Sequence, residues 1–268
     1  MLVVIKGAGD LATGIACCLH RCGFKLIMTE TALPTTVRCT VAFSQAVYQG
    51  GAEVEGVQAR LAASPEEALA LTRKGLVAVL IDPEAKVVET LRPDALVDAI
   101  LAKQNLWTRL SDAPCVVGVG PGFTPGMDCH AAVETQRGHD LGRVLWDRPP
   151  APDTGIPGDI GGYTVERLLR APAEGVFTPA ARIGDLVEAG QPVGYVDGRP
   201  MQTQISGVLR GLLPEGTPVC LGMKAGDVDP RCRSEHCFTV SDKARAVAGG
   251  VLEAILAQRC GKESSHAL

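Results

Sequence analysis

The sequence predicts an α/β fold: a Rossmann-like parallel sheet domain, then a smaller all-β domain of the barrel-sandwich type and a C-terminal helix. Apolar runs alternate with helical patterns over about the first 140 residues, as in parallel sheets. After that point, short β-prone pieces follow one another with turn signals between them. Helical periodicity returns near the end of the chain.

The first elements form a strand–turn–helix–strand unit. Residues 2–6 are an apolar strand, and Gly7-Ala-Gly9 is a tight turn. Residues 11–22 place apolar side chains on one helical face, and Gly23 ends that helix. Residues 25–30 are the second strand. Such units build doubly wound sheets.

The later elements follow the same logic. They are a mixed helix near 37–48, a helix at 65–74, strands at 76–81 and 115–119, an apolar segment at 95–102 that is strand or helix, and a helix at 242–256. Ser64 and Ser241 are the expected N-caps. Gly249-Gly250 lies inside the last helix, so we expect close packing against a neighbour there.

These patterns predict four parts of the chain. They are a sheet domain at 1–145, a small β domain at 146–240, a helix at 241–258 that packs on the sheet domain, and a tail at 259–268.

Composition excludes several function classes. The net charge of −4 provides no basic surface for nucleic acid. No apolar run approaches the roughly 20 residues that span a bilayer, and no signal peptide is recognisable, so we expect a cytoplasmic protein without membrane contact. The ten cysteines show no CxxC or zinc-finger spacing, which favours reduced thiols and leaves the metal content unknown.

The first glycine turn fits the dinucleotide-binding pattern G-x-G-x-x-G/A. Gly7 and Gly9 follow a strand and open a helix, and Glu30 ends the next strand, where an acid would bind a ribose hydroxyl. Asp10 argues against a dinucleotide, because its carboxylate would repel a pyrophosphate. A turn needed only for the fold, or a site for another ligand that Asp10 helps to hold, is the alternative.

A second glycine-rich segment follows the apolar run at 115–119. Its glycines are Gly118, Gly120, Gly122 and Gly126. Glycine allows positive φ and close backbone approach, so the segment predicts a fixed loop whose N–H groups cradle an anion or a flat ligand. We expect this loop and the Gly7 turn to face one cleft, with Glu30, Asp128, His130 and His139 at its rim. The alternative is a tight connection without a function.

Two clusters carry the candidate reactive side chains. Cys129 would need a nearby cation to become a nucleophilic thiolate, and His130 or His139 would serve as a general acid. Cys237 lies in a second cluster, 226–237, whose alternatives are a solvated loop and a contact to a divalent ion or substrate. For Cys129 the alternative is a buried cysteine beside a surface histidine.

The β domain resembles biotinyl and lipoyl modules through its Gly-Asp-x-Val-x-x-Gly stretch. Those modules attach their group to a lysine at a hairpin tip. Residues 197–202 occupy the comparable region without a lysine, so we expect no covalent biotin or lipoate.

Four stretches together resemble the YqeB-type accessory proteins of selenium-dependent molybdenum hydroxylase systems. They are Ile5–Gly14, Val119–Asp128, Glu134–Gly142, and Lys224–Arg231 with Ser241–Ala244. The resemblance spans nearly the whole chain and implies a maturation factor whose partners are the apo-hydroxylase and other maturation factors. A homo-oligomer stays open.

The resemblance suggests a ligand, either a molybdenum-pterin cofactor or a nucleotide. Residues Gly7–Gly14, including Gly14 itself, would face the second loop, and Arg137 would hold a phosphate. Cys129 or Cys237 would carry sulfur or selenium. The alternative function is an NAD(P)-dependent oxidoreductase that uses Gly7, Gly9, Ala12 and Glu30, with His130 or His139 as its general acid.

Overall fold

The computed structural model describes residues 1–265 and divides the chain into two compact units. The first unit comprises residues 1–32, 43–153 and the chain from Val240 onward, and the second comprises 33–42 and 154–239. The sequence had placed 33–42 in the sheet domain. Of the predicted tail, residues 266–268 lie outside the described residues.

The first unit contains a nine-stranded mixed sheet. Its strands are β1 (Leu2–Lys6), β2 (Lys25–Glu30), β3 (Gly51–Val54), β4 (Val57–Ala62), β5 (Val77–Ile81), β6 (Ala95–Asp98), β7 (Val116–Val119), β8 (Ala131–Val133) and β9 (Val144–Leu145). Their order across the sheet is β3-β4-β5-β2-β1-β6-β7-β8-β9. The strands from β4 to β8 are parallel, and β3 and β9 pair antiparallel at the two edges.

Burial explains why the central strands read as continuous apolar runs. Val3, Val4 and Ile5 of β1 are fully buried, as is typical of a parallel strand covered on both faces. The segment at 95–102, which was open between strand and helix, forms β6 and then leaves the sheet. The β3–β4 hairpin had no counterpart among the predicted elements.

Five helices accompany the sheet of the first unit. They are α1 (Asp10–Arg21), α2 (Gln45–Gln49), α3 (Pro65–Arg73), α4 (Val87–Leu91) and α5 (Asp242–Ser265). Ser64 caps α3 as predicted, because its side chain accepts a hydrogen bond from Glu67 N at 3.2 Å. Helix α5 is longer than the sequence predicts.

Helix α5 packs closely against its neighbours at two glycines. A β-carbon at Gly14 of α1 would lie 2.7 Å from the β-carbon of Ala244. A β-carbon at Gly250 would collide with the carbonyl oxygen of Gly142. The close packing that the sequence predicts is therefore confirmed at Gly250. Gly14, which the sequence assigns to a ligand, lets α1 pack against α5 instead.

The second unit contains two four-stranded antiparallel sheets. Its strands are β10 (Leu168–Arg170), β11 (Gly175–Pro179), β12 (Leu186–Val187), β13 (Pro192–Val196), β14 (Arg199–Gln202), β15 (Gly207–Leu212), β16 (Pro218–Val219) and β17 (Lys224–Asp229). The sheet orders are β10-β17-β15-β12 and β14-β13-β11-β16. Phe177, Val193, Leu209 and Val228 share one buried core, so the two sheets enclose it.

Candidate functional site at the carboxyl edge of the large sheet

The strand order reverses between β1 and β6, and this point defines the candidate site. Lys6, Asp98 and Gly118 lie in one register row across β1, β6 and β7. The Gly7 turn, the segment after Asp98 and the Gly118 loop therefore leave the sheet at the same edge. Ligands of open α/β sheets bind outside the carboxyl ends of the strands, at such a reversal.

The segment that follows β6, residues 99–108, runs between the two glycine loops. A β-carbon at Gly7 would lie 3.2 Å from Ala99 O, and one at Gly122 would lie 2.5 Å from the Cα of Gln104. A β-carbon at Gly120 would instead lie 2.9 Å from Thr135 Oγ1. All three glycines have positive φ. Gly7 and Gly122 give the segment room to approach, which differs from the open cradle that the sequence predicts.

The rest of the second loop is fixed by its own contacts. A β-carbon at Gly118 would collide with Phe123, whose ring is only 3% exposed. Gly126 has φ +80°, and its N–H donates to Cys129 O at 2.8 Å. Asp128 Oδ1 accepts a hydrogen bond from Thr124 N at 2.8 Å. The loop is therefore held by its own contacts, as expected of a fixed loop, and Gly118 serves the packing of Phe123.

A buried ion pair anchors the 99–108 segment. Lys6 Nζ lies 3.1 Å from Asp98 Oδ2, and both side chains are almost completely buried. Lys6 also donates to Leu106 O at 2.8 Å and to Thr108 Oγ1 at 2.6 Å. Thr108 Oγ1 in turn donates to Asp98 Oδ2 at 2.5 Å. Sequence reasoning missed these three residues, although charged groups closing two apolar strands were a usable signal.

The 99–108 segment is strained as well as anchored. Leu101, Lys103 and Trp107 have φ of +59°, +66° and +67°, a region that L-residues rarely adopt. Asn105 closes a turn around Trp107, because its amide accepts from Thr108 N at 2.9 Å and donates to Thr108 O at 2.7 Å. The Trp107 side chain is 67% exposed.

The Gly7 turn uses the carboxylate that the sequence assigned to a ligand. Glu30 Oε2 accepts from Ala8 N at 3.0 Å, and Oε1 accepts from Thr31 N at 2.8 Å. Glu30 therefore positions the turn, which leaves it fewer lone pairs for a ribose hydroxyl. Gly9 then precedes α1, whose first residue is Asp10. A carboxylate at a helix N-terminus is favourable for the helix.

Charged side chains gather where β8 ends and α5 begins. Glu134 accepts backbone hydrogen bonds from Thr135, Gln136 and Ala151 at 2.6–2.7 Å. Arg137 makes a two-pronged pair with Asp242 at 2.7 and 2.9 Å, so its guanidinium is already engaged. The predicted phosphate contact of Arg137 would compete with this pair.

Lys243, which the sequence did not single out, differs from these charges. It is half-buried, and among residues 1–265 its ammonium has no hydrogen bond and no carboxylate within 4.0 Å. Burial lowers its pKa most, the Arg137 charge lowers it further, and Asp10 and Glu134 act in the opposite direction. An ammonium in this setting is suited to receive an anion.

His130 lies away from this edge, which corrects its place at the predicted rim. His130 N donates to Val116 O at 2.8 Å, and its Nδ1 accepts from Val116 N at 3.0 Å. Val116 begins β7, so His130 lies at the amino edge of the sheet. His139 is exposed in the connection between β8 and β9, whereas His130 precedes β8.

Cys129 does not have the properties of a nucleophile. Its side chain is fully buried, and burial, reinforced by the Asp128 carboxylate, raises its pKa to about 12. Cys237 in the second unit is also fully buried, and burial raises its pKa. A reactive thiolate requires exposure and a lowered pKa, so both predicted roles are corrected.

The 226–237 cluster of the second unit is an ion network. Arg210 bridges Asp227 and Asp229, and Arg231 donates twice to Asp229 at 2.9 and 2.6 Å. Arg167 pairs with Asp227 at 3.2 Å. Burial would raise the pKa of Asp229, but the Arg231 hydrogen bonds and the Arg210 charge lower it to about 2. Within residues 1–265, no group of three potential ligands could hold a metal ion.

The comparisons with known proteins identify a relative by sequence. No family model matches the chain. The chain is 49% identical over 255 residues to the uncharacterized protein YqeB of Escherichia coli (strain K12). Over nearly its whole length the chain is therefore similar to YqeB. The match covers 95% of this chain and 47% of that protein, so this YqeB-type chain spans about half the length of its relative.

Two solved structures resemble this YqeB-type chain at a low level. An aspartoacylase family protein from Mesorhizobium loti matches with a TM-score of 0.29 and 11% identity, covering 87% of this chain and 86% of that chain. A succinylglutamate desuccinylase/aspartoacylase from Rhodobacter sphaeroides matches with a TM-score of 0.24 and 13% identity, covering 84% and 86%. In the described part of the chain, no helix has the length and apolarity to cross a membrane.

Proposed function

We propose that this YqeB-type chain is an accessory factor in the maturation of a selenium-dependent molybdenum hydroxylase. It binds a ligand that joins an anionic group to a flat ring, either a nucleotide or a pterin-type cofactor, at the carboxyl edge of the large sheet. The observation that carries the binding proposal is the half-buried Lys243 ammonium without a direct partner. The maturation role rests on the resemblance of the sequence.

Strand order supports the location. The sheet has seven parallel strands, of which β4 lies outside β5. Without β4, the other six are β1, β2, β5, β6, β7 and β8 in chain order, and across the sheet they run 3-2-1-4-5-6. This is the order of dinucleotide-binding sheets, whose ligand lies at the reversal beside the first strand. We therefore take the sheet as Rossmann-like and the second unit as a barrel-sandwich module in a structural or docking role.

Lys243 supports an anionic ligand. Arg137 is held by Asp242, so the nearby cation that lacks an ion pair is Lys243. Asp10 opens α1, and Glu134 follows β8, so these two carboxylates, which act on Lys243, belong to the carboxyl edge. A phosphate at this position would accept a charged hydrogen bond from the Lys243 ammonium, and this interaction would offset the desolvation of Lys243.

The strand order also favours the second candidate, an NAD(P)-dependent oxidoreductase. Its ribose contact would be Glu30, which the turn already uses through Ala8 N and Thr31 N. Its general acid would be His139, because His130 lies at the opposite edge. The maturation factor is therefore our first choice.

Binding is tested by thermal shift and calorimetry with GTP, CTP, NAD, NADP and, under anaerobic conditions, the molybdenum-pterin cofactor. We expect Lys243→Ala to weaken binding by about 10- to 150-fold, since a charged hydrogen bond contributes about 1.5–3 kcal/mol. Lys74→Ala, at an exposed lysine that ends α3, is the matched control. A protein that none of these ligands stabilises would refute the binding proposal.

The maturation role needs a separate test. The purified chain is mixed with the apo form of a selenium-dependent molybdenum hydroxylase, and association is measured by light scattering, with the mature hydroxylase as the comparison. Preferential association with the apo form is expected. Equal or absent association with both forms would refute the maturation role and leave ligand binding to be judged by itself.

A further inference from the structure

Trp107 combines two features that packing does not explain. Its φ of +67° belongs to a region in which a bulky aromatic residue is a clear outlier. Its side chain is 67% exposed, so the ring gains little burial to offset that backbone strain. Strained residues that the surrounding structure holds in place are concentrated at ligand-binding sites.

The residues on both sides of Trp107 are held by the buried ion pair. Leu106 O accepts from Lys6 Nζ, and the Thr108 hydroxyl donates to Asp98. The Asn105 side chain closes the turn, because its oxygen accepts from Thr108 N and its nitrogen donates to Thr108 O. Trp107 cannot relax to an extended backbone unless these buried hydrogen bonds break. The arrangement therefore fixes the backbone that carries an exposed indole at the carboxyl edge.

The turn position makes the choice of residue informative. A site with positive φ is occupied without strain by glycine or, at small cost, by asparagine. The chain places there one of only two tryptophans among its 268 residues. The other, Trp146, follows β9 and is 42% exposed, and it has no positive φ.

We propose that Trp107 is the stacking platform for the flat ring of the ligand, whose anionic group Lys243 holds. This inference rests on the proposed function and specifies the ligand class as a phosphate-bearing heterocycle. An exposed indole on a fixed backbone offers a ring face at a defined place, and heterocycles stack on such a face whatever their substituents. Recognition at this edge thus separates into a ring contact and a charge contact.

The experiment uses the two-tryptophan composition. Trp146→Phe leaves Trp107 as the single tryptophan, so its fluorescence reports the proposed contact alone. The probes are GTP, CTP, NAD and pterin-6-carboxylate as ring-bearing anions, and tripolyphosphate as an anion without a ring. Affinities are measured by calorimetry for Trp146→Phe, Trp107→Ala, Trp107→Phe and Lys243→Ala, and circular dichroism verifies that each variant is folded.

The expected result has three parts. A ring-bearing probe quenches Trp107 fluorescence, Trp107→Ala weakens its binding by about 5- to 150-fold, and Trp107→Phe restores most of the affinity. Tripolyphosphate binds Trp107→Ala as well as it binds the parent and loses affinity in Lys243→Ala.

Two results would overturn the inference in distinguishable ways. If a ring-bearing probe binds, depends on Lys243 and is indifferent to Trp107→Ala, the stacking role is wrong and the proposed function stands. If no probe binds the parent protein, the proposed function is refuted together with the inference.

Discussion

Removing the Asp98 carboxylate should destabilise the first unit strongly, because its partner would stay buried with a positive charge. Lys6 and Asp98 have side chains that are 2% and 3% exposed, and their charged atoms are 3.1 Å apart. The substitution Asp98→Ala leaves the Lys6 ammonium with Leu106 O and the Thr108 hydroxyl as neutral partners. The change also removes the acceptor of the Thr108 hydroxyl.

The magnitude follows from distance and burial. At an effective dielectric constant of about 20, two unit charges at this distance attract by about 5 kcal/mol. Part of that attraction offsets the desolvation of both ions, and breaking a buried pair from one side typically costs about 3–5 kcal/mol. We therefore expect Asp98→Ala to lower the free energy of unfolding of the first unit by about 3–5 kcal/mol. The double variant Lys6→Met/Asp98→Leu should recover most of this loss, because neither charge is then buried alone.

Urea unfolding followed by tryptophan fluorescence measures this change. Trp107 and Trp146 both belong to the first unit, so the signal reports that unit. The matched control is Glu84→Ala, which breaks the pair of Lys86 and Glu84 at 3.0 Å, where the side chains are 73% and 53% exposed. The control should cost at most about 1 kcal/mol. The reasoning is refuted if both single variants cost the same, or if the double variant is no more stable than Asp98→Ala.

Two further predictions concern packing and pH. Gly122→Ala should lower the free energy of unfolding in urea by about 2–4 kcal/mol, because φ is +103° and the new β-carbon would lie 2.5 Å from Gln104 Cα. Gly126→Ala, which has open space around the new β-carbon, should lower it clearly less. Equal losses would contradict the packing argument. The folded pKa of Asp229, about 2, lies below its ordinary value of 3.8, so its stabilisation is present above pH ~4 and lost as pH falls toward 2. Thermal melts from pH 5 to pH 2 should therefore show a smaller loss in Asp229→Asn than in the parent, and parallel losses would exclude this role.

Local patterns predicted much of the first unit. The strands at 2–6 and 25–30 and the cap at Ser64 depend on neighbouring residues, and the structure confirms them. Strand order and the β3–β4 hairpin depend on pairing between distant segments, which the periodicity of one segment does not encode. The transfer of 33–42 to the second unit has the same origin.

The misplacement of His130 has a topological cause. Strands β7 and β8 are parallel, so the chain between them must return from the carboxyl edge to the amino edge. The residue just before β8 therefore lies at the amino edge, and His130 is that residue. Strand β8 is only three residues long, and the sequence does not predict it. Without β8, His130 is placed at the rim.

The two glycine loops acquire a common explanation from the segment between them. A ligand-binding glycine leaves the backbone open to the ligand, whereas Gly7 and Gly122 admit Ala99 and Gln104. Their freedom of conformation thus serves a third segment, which in turn is pinned by the Lys6–Asp98 pair and exposes Trp107. The dinucleotide fingerprint lies in the first turn, but Gly7 is already explained by its approach to Ala99. The first turn by itself therefore does not argue for NAD. The chemistry of this edge depends on what the anchored segment and Lys243 present, and these are the groups whose substitution separates ring recognition from charge recognition.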